Sequence, residues 1–138
     1  MKKSLIAALC LAVLALPVAA QDDPPPPEAR EALDCASLFW ALSLSRSLAE
    51  ERFHPALSSF DLSLAFSEEA LHRWAAVSEG DETERRYDLQ ERVEVRALVY
   101  QGWIEQGMVQ EGRWDGAHSM KNLAARCIAL IDAYGIAG

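Results

Sequence analysis

Residues 28–52 read EAREALDCASLFWALSLSRSLAEER, and this stretch decides the fold. Pro27 stands just before it, where a first-turn proline is tolerated because its missing N–H would have no partner anyway. Glu28 and Glu31 suit the positive end of a helix dipole, and His54-Pro55 stops the run. Cys35, Leu38, Phe39, Leu42 and Ala49 recur at the spacing of one buried helical face. Leu33, Trp40, Leu44 and Leu48 form a second apolar stripe, roughly opposite. The spacing therefore predicts a first helix over 28–52 with two apolar faces. Such a helix is either sandwiched in a core or shared with another chain.

Upstream of it the chain changes character. Lys2 and Lys3 precede an uncharged apolar run from Leu5 to Leu16, Pro17 breaks that run, and Val18-Ala19-Ala20 places small residues where a leader peptidase cuts. This is the pattern of a secretory signal peptide over residues 1–20, too short to span a bilayer. An uncleaved N-terminal anchor is the alternative. A lipoprotein is disfavoured, because Cys10 follows Leu9 instead of a small residue. Residues 21–27, Gln-Asp-Asp-Pro-Pro-Pro-Pro, read as an extended lead-in, since four prolines favour polyproline II. The domain proper is expected over 28–138. Removing the leader from the 138-residue chain leaves 118 residues, and removing its two lysines takes the net charge from −8 to −10.

Those figures exclude several classes. A general nucleic-acid binder needs a basic face, and an acidic chain is not drawn to anionic lipid. No later segment is long and apolar enough to cross a membrane. Four Trp, four Phe and three Tyr argue against disorder. After residue 20 the chain has seventeen Ala against five Val, four Ile and one Thr, a helical composition. The expected fold is all-α, a single four-helix up-down-up-down bundle.

Three further helices complete it. Residues 56–66 fit both a strand, through the alternation of Asp61 to Phe66, and a helical turn, through Leu57, Phe60 and Leu64. No partner strand exists, so the helical reading is preferred. Ser67 with Glu68 and Glu69 reads as a helix start, leading through Leu71, Trp74 and Val77 to Gly80. Asp81-x-x-Glu84 resembles a capping box and opens a third helix over 82–106, with Leu89, Val93, Ala97, Tyr100 and Ile104 as its core stripe. Its charged residues read as a solvated face, with Asp88 and Arg92 paired one turn apart. Gly102, Gly107 and Gly112 predict fraying and a loop over 107–114. Asp115 is the expected cap of a fourth helix, which runs to Tyr134 and stops at Gly135.

Cys35 and Cys127 remain after export to an oxidising compartment, and the expectation is a disulfide between them. They lack the C-x-x-C spacing of a redox pair. Both lie on apolar stripes, one near the start of helix 1 and the other late in helix 4, and antiparallel packing of those helices would put them level.

No catalytic constellation is identifiable: no G-x-S-x-G elbow, no S-x-x-K, no phosphate-cradling glycine loop. No cofactor is expected, and haem is disfavoured for want of C-x-x-C-H. A metal site is the weaker alternative. Glu69-x-x-His72 has the spacing of di-metal carboxylate bundles but occurs once. His118 with Met108 offers an imidazole and a thioether that suit copper. The expected function is a small acidic protein, periplasmic or secreted, that binds or chaperones rather than catalyses. Its candidate interface is Leu33, Trp40, Leu44 and Leu48, which would serve a homodimer or another protein partner unless residues 56–66 cover it with Leu62 and Phe66. The expected architecture resembles small acid-protective chaperones, a resemblance that no residue carries. In that version, acid would neutralise the carboxylates near pH 4 and loosen the bundle.

Overall fold

The computed structural model describes residues 24–136, apart from 46 and 49. The expected signal peptide, and residues 21–23 of the lead-in, lie outside the described residues. Four helices make up the fold among them: α1 (Pro27–Leu44), α2 (Ser59–Val77), α3 (Glu82–Glu111) and α4 (His118–Ala133). No described residue is in a strand.

The α1 helix is the centre of the molecule, and α2, α3 and α4 all pack against it. This accounts for its two apolar stripes. Ala29, Ala32, Leu33, Cys35, Ala36, Leu38, Phe39, Ala41 and Leu42 are all buried, on every side of the helix. Small residues on two sides let its neighbours approach closely. Ser63 of α2 donates its hydroxyl to the Ala36 carbonyl at 2.8 Å, which satisfies a polar group that would be costly to bury alone. Arg30 Nε donates to the Pro25 carbonyl at 2.8 Å and fixes the entry of the chain into α1.

The helix ends eight residues sooner than its apolar pattern predicts, at Leu44 instead of Arg52. Ser43 donates its hydroxyl to the Trp40 carbonyl, and Ser45 takes an extended conformation. Serines compete for the backbone in this way and weaken a helix end. The turn that follows returns Leu48 to the core.

The α2 helix begins at Ser59, not at Ser67, and absorbs the ambiguous segment. Ser58 accepts from the Asp61 N–H while the Asp61 carboxylate accepts from the Ser58 N–H, a reciprocal capping box. Leu62, Phe66 and Ala70 are then the buried face. Phe66 stacks on Phe39 of α1, with centroids 5.6 Å apart.

Asp81 caps α3 by accepting from the Glu84 N–H, and Leu89, Val93, Ala97, Tyr100 and Ile104 are its buried stripe. The expected break after Gln106 does not occur. The helix continues through Gly107 to Glu111 and stops at Gly112, which takes the left-handed conformation at φ +67. Gly107 is buried beneath the 113–116 turn. Asp115 does not cap α4, because Arg113 holds its carboxylate with two bonds of 3.0 Å. The residue before α4 is Ala117, with no side-chain cap. The stop at Gly135 is as expected, at φ +65.

Cys35 and Cys127 form a disulfide between α1 and α4, their Cα atoms 5.3 Å apart. Both sulfurs are buried, in line with a structural link.

Candidate functional site

The four residues of the candidate interface on the first helix part company. Leu33 and Leu48 are buried, and Trp40 is half-buried with its ring 5.7 Å from that of Phe60. Leu44, which ends α1, is 53% exposed. Phe60 and Leu64 of α2 are also about half exposed. Leu62 and Phe66 are buried, but Phe66 stacks on Phe39 of the other stripe, and it is Phe60 whose ring lies against Trp40.

The weak metal candidates are not brought together. Glu69 accepts from Arg73 at 2.7 Å, one turn along α2, while His72 stands exposed. His118 Nε2 lies 3.4 Å from the Asn122 amide nitrogen. Met108 is partly exposed on α3. Among the described residues no group of three or more His, Cys, Asp or Glu is placed to hold a metal ion.

Further exposed apolar residues lie on the outer side of α3. Val95, Leu98, Val99, Gly102 and Val109 follow the 3, 4, 7 spacing of one helical face. At 100° per residue that face points almost directly away from Leu89, Val93, Ala97 and Ile104. Leu98 is 68% exposed and Val109 is 86% exposed. The solvated face expected for the charged first half of the helix does not reach these positions, most of which lie in the second half. Helical spacing in the sequence matches positions 95, 98, 99 and 102, and after Glu105 and Gln106 position 109.

Charged residues of α3 lie both beside and within the stripe. Each of its four arginines is committed within the molecule. Arg85 donates to the Ser78 carbonyl, and Arg86 pairs with Glu68 of α2. Arg92 pairs with Asp88 at 2.7 Å and lies over the Trp74 ring, and Arg96 pairs with Asp34 of α1. From Ala97 to Glu111 the helix has no basic residue. Glu91 and Glu105 are exposed within the arc of these apolar positions, and Glu94 is exposed at its margin.

A groove of about 850 Å³ runs along one edge of the stripe, between α3 and the start of α1. It is lined by Pro25, Leu33, Val95, Val99, Tyr100 and Trp103 together with the charged Asp88, Glu91, Arg92 and Arg96. Burial pushes the Tyr100 hydroxyl above the usual tyrosine range, against an opposing pull from Arg96.

No family model matches this sequence, and no curated protein or solved structure matches it either. Among the described residues no helix is long and apolar enough to cross a membrane. The disulfide is compatible with an oxidising, exported compartment.

Proposed function

We propose that the protein is an exported, acidic helical-bundle module that works by binding another protein rather than by catalysis. The observation that carries this reading is the second apolar face of α3. A helix at the edge of a small domain needs one apolar stripe to bury, and exposed apolar stripes rimmed by polar residues mark interaction sites. The N-terminal sequence pattern and the buried disulfide support the exported setting. The up-down-up-down path belongs to the same reading. It is supported by the contact of Trp40 with Phe60 at one end of α1 and by the nearness of Glu31 to Tyr134 at the other. A copper or zinc site gains no support, since Glu69 is held by Arg73 and His118 lies beside Asn122.

Photo-crosslinking in the producing cell tests this. Benzoylphenylalanine placed at Leu98 or Val109 should give a discrete protein adduct, and the same group at exposed Ala76 or Asp132 should not. The absence of an adduct from both α3 positions would refute the reading.

A further inference from the structure

We propose that Asp115 and Gly116 form a site of spontaneous backbone isomerisation, with water as the only co-reactant, and that Arg113 holds it closed. The chain has a single Asp-Gly pair and no Asn-Gly. Where glycine follows aspartate, no Cβ shields the next nitrogen, so that nitrogen can reach the aspartate side chain. The Gly116 nitrogen attacks Cγ of Asp115, the N–Cγ bond forms, and the carboxyl hydroxyl leaves as water with the amide proton. The five-membered succinimide then takes up water. Attack at Cγ restores the original chain. Attack at the main-chain carbonyl breaks the original peptide C–N bond and leaves position 115 joined through its side-chain carbon, as isoaspartate. One water leaves and one enters, so the mass is unchanged and nothing is oxidised or reduced.

The packing requires this glycine. A Cβ at position 116 would lie 2.6 Å from Cβ and 2.8 Å from Cγ of Glu111, and 3.1 Å from the Arg113 carbonyl oxygen. The reactive pair is therefore built into the turn that sits on Gly107. One residue holds both reacting groups. Arg113 donates from Nε to Oδ1 and from Nη2 to Oδ2 of Asp115, both at 3.0 Å. This two-pronged grip fixes the rotamer and occupies both oxygens, and an ionised carboxylate held this way has no hydroxyl to lose. The Gly116 N–H donates to the Arg113 carbonyl at 3.1 Å, which retains the proton that the nitrogen must give up. An exposed ion pair of this kind adds little to stability; here it acts on a rate. The product carries one extra main-chain carbon, which would push Gly116 away from Glu111 and from the Arg113 carbonyl. Trp114, whose ring meets Phe53 edge-on at 5.7 Å, would move with the turn.

The test holds the purified wild type, Arg113→Ala and Asp115→Glu at neutral pH and raised temperature. Isoaspartate is followed by enzymatic methylation of isoaspartyl groups and placed by fragmentation mass spectrometry. Wild type unfolded in urea supplies the unguarded rate. Native wild type should isomerise at position 115 severalfold more slowly than the unfolded chain, and Arg113→Ala severalfold faster than native wild type. Asp115→Glu should lose the signal, because the six-membered imide closes far more slowly. The Arg113 side chain is 67% exposed, so the fold should tolerate its loss; hydrogen exchange at the Gly116 amide shows whether the turn persists in the variant, and protection should be retained. The isoaspartyl fraction, once separated, should melt at a lower temperature than the parent protein. Absence of isoaspartate at 115 from the unfolded chain, or a signal that survives Asp115→Glu, would remove the site. Equal rates in native wild type and Arg113→Ala would remove the role of Arg113. Acceleration accompanied by lost Gly116 protection would also overturn that role, assigning the slow rate to a rigid turn instead of to the guanidinium.

Discussion

The guanidinium carbon of Arg73 stands 4.2 Å from the centre of the Tyr134 ring. Tyr134 follows the last residue of α4, and Arg73 lies late in α2. The same ring packs edge-on to Phe66, with centroids 6.0 Å apart, and its hydroxyl donates to Glu31 at 3.4 Å. Arg126 of α4 also pairs with Glu31. One aromatic side chain thus ties the end of α4 to both α1 and α2. Tyr134→Leu should cost about 1–2 kcal/mol, the sum of a partly exposed cation–π contact and an aromatic pair. Tyr134→Phe should cost about 0.5 kcal/mol or less, because a hydrogen bond of that length is weak. Urea unfolding of the two variants separates the ring from the hydroxyl.

Alkaline pH tests the same tyrosine. Burial holds its hydroxyl above the usual value of 10, the Glu31 carboxylate adds to this, and Arg73 opposes it. Tyr100 is raised as well, first by burial. A folded state that holds a proton more tightly than the unfolded chain is fully stabilised below the unfolded value and loses that stability as pH rises through the folded one. Unfolding free energy should therefore begin to fall near pH 10 and keep falling above it. The double variant Tyr100→Phe, Tyr134→Phe should show a flatter profile; an unchanged slope would refute the assignment.

The two stripes of α1 and the positions of both cysteines on apolar faces were legible in the sequence, because burial on a regular helix leaves a periodic trace. Asp81 and Gly135 were legible because caps have few chemical solutions. The start of α2 was not. Ser58-x-x-Asp61 is a capping box with Asp in the Glu position, and the strand-like alternation after it masked the signal. The length of α3 was hidden for a different reason. Gly107 breaks helical propensity locally, but its lack of a side chain is needed by the 113–116 turn, a tertiary demand that no local rule contains. The open face of α3 was readable in principle, yet only the structure separates a stripe that is covered from one that is not.

The disulfide closes a loop of 92 residues. On the chain-entropy model such a link contributes roughly 4–5 kcal/mol, an upper figure. The joint variant Cys35→Ser, Cys127→Ser should lose up to about that amount in urea unfolding. Because both cysteines are at most 1% exposed, dithiothreitol alone should leave the native protein oxidised for long periods, and reduction should accelerate once urea opens the fold. Mass spectrometry after alkylation follows both. Rapid reduction of the native protein would show that the link is reachable.

Two buried serines on α2 should behave oppositely. Ser63 bonds across to Ala36, whereas the Ser59 hydroxyl is buried with no partner among the described residues. Ser63→Ala removes a bond and orphans a carbonyl, at a cost of about 1 kcal/mol. Ser59→Ala removes an unsatisfied group and should be neutral or stabilising by up to about 1 kcal/mol. Equal destabilisation by both would place an unseen partner at Ser59.

The cap of α2 can be read by titration. Side-chain and backbone bonds from Ser58 hold the Asp61 carboxyl below its usual 3.8, with a smaller pull from Arg52. A lowered folded value means the contribution is present above the unfolded value and lost as pH falls through the folded one, so the cap should fail only below about 3.8. Ser58→Ala should cost about 1 kcal/mol at neutral pH. It should also bring the Asp61 titration, followed by NMR, back up toward 3.8.

The glycines of α3 give the sharpest contrast. A Cβ on Gly107 would lie 2.5 Å from the Arg113 carbonyl oxygen and 3.0 Å from the Gly116 nitrogen, both backbone atoms that cannot swing aside. Gly107→Ala should therefore displace the 113–116 turn and cost about 1–3 kcal/mol, despite the better helix propensity of alanine. Gly102 has open space around it in the same helix. Gly102→Ala should stabilise by about 0.5–1 kcal/mol, because alanine loses less backbone freedom on folding. Thermal unfolding of the two single variants decides the matter: the midpoints should move in opposite directions, and a shift of the same sign in both would show that propensity, not the turn packed over Gly107, governs this end of α3.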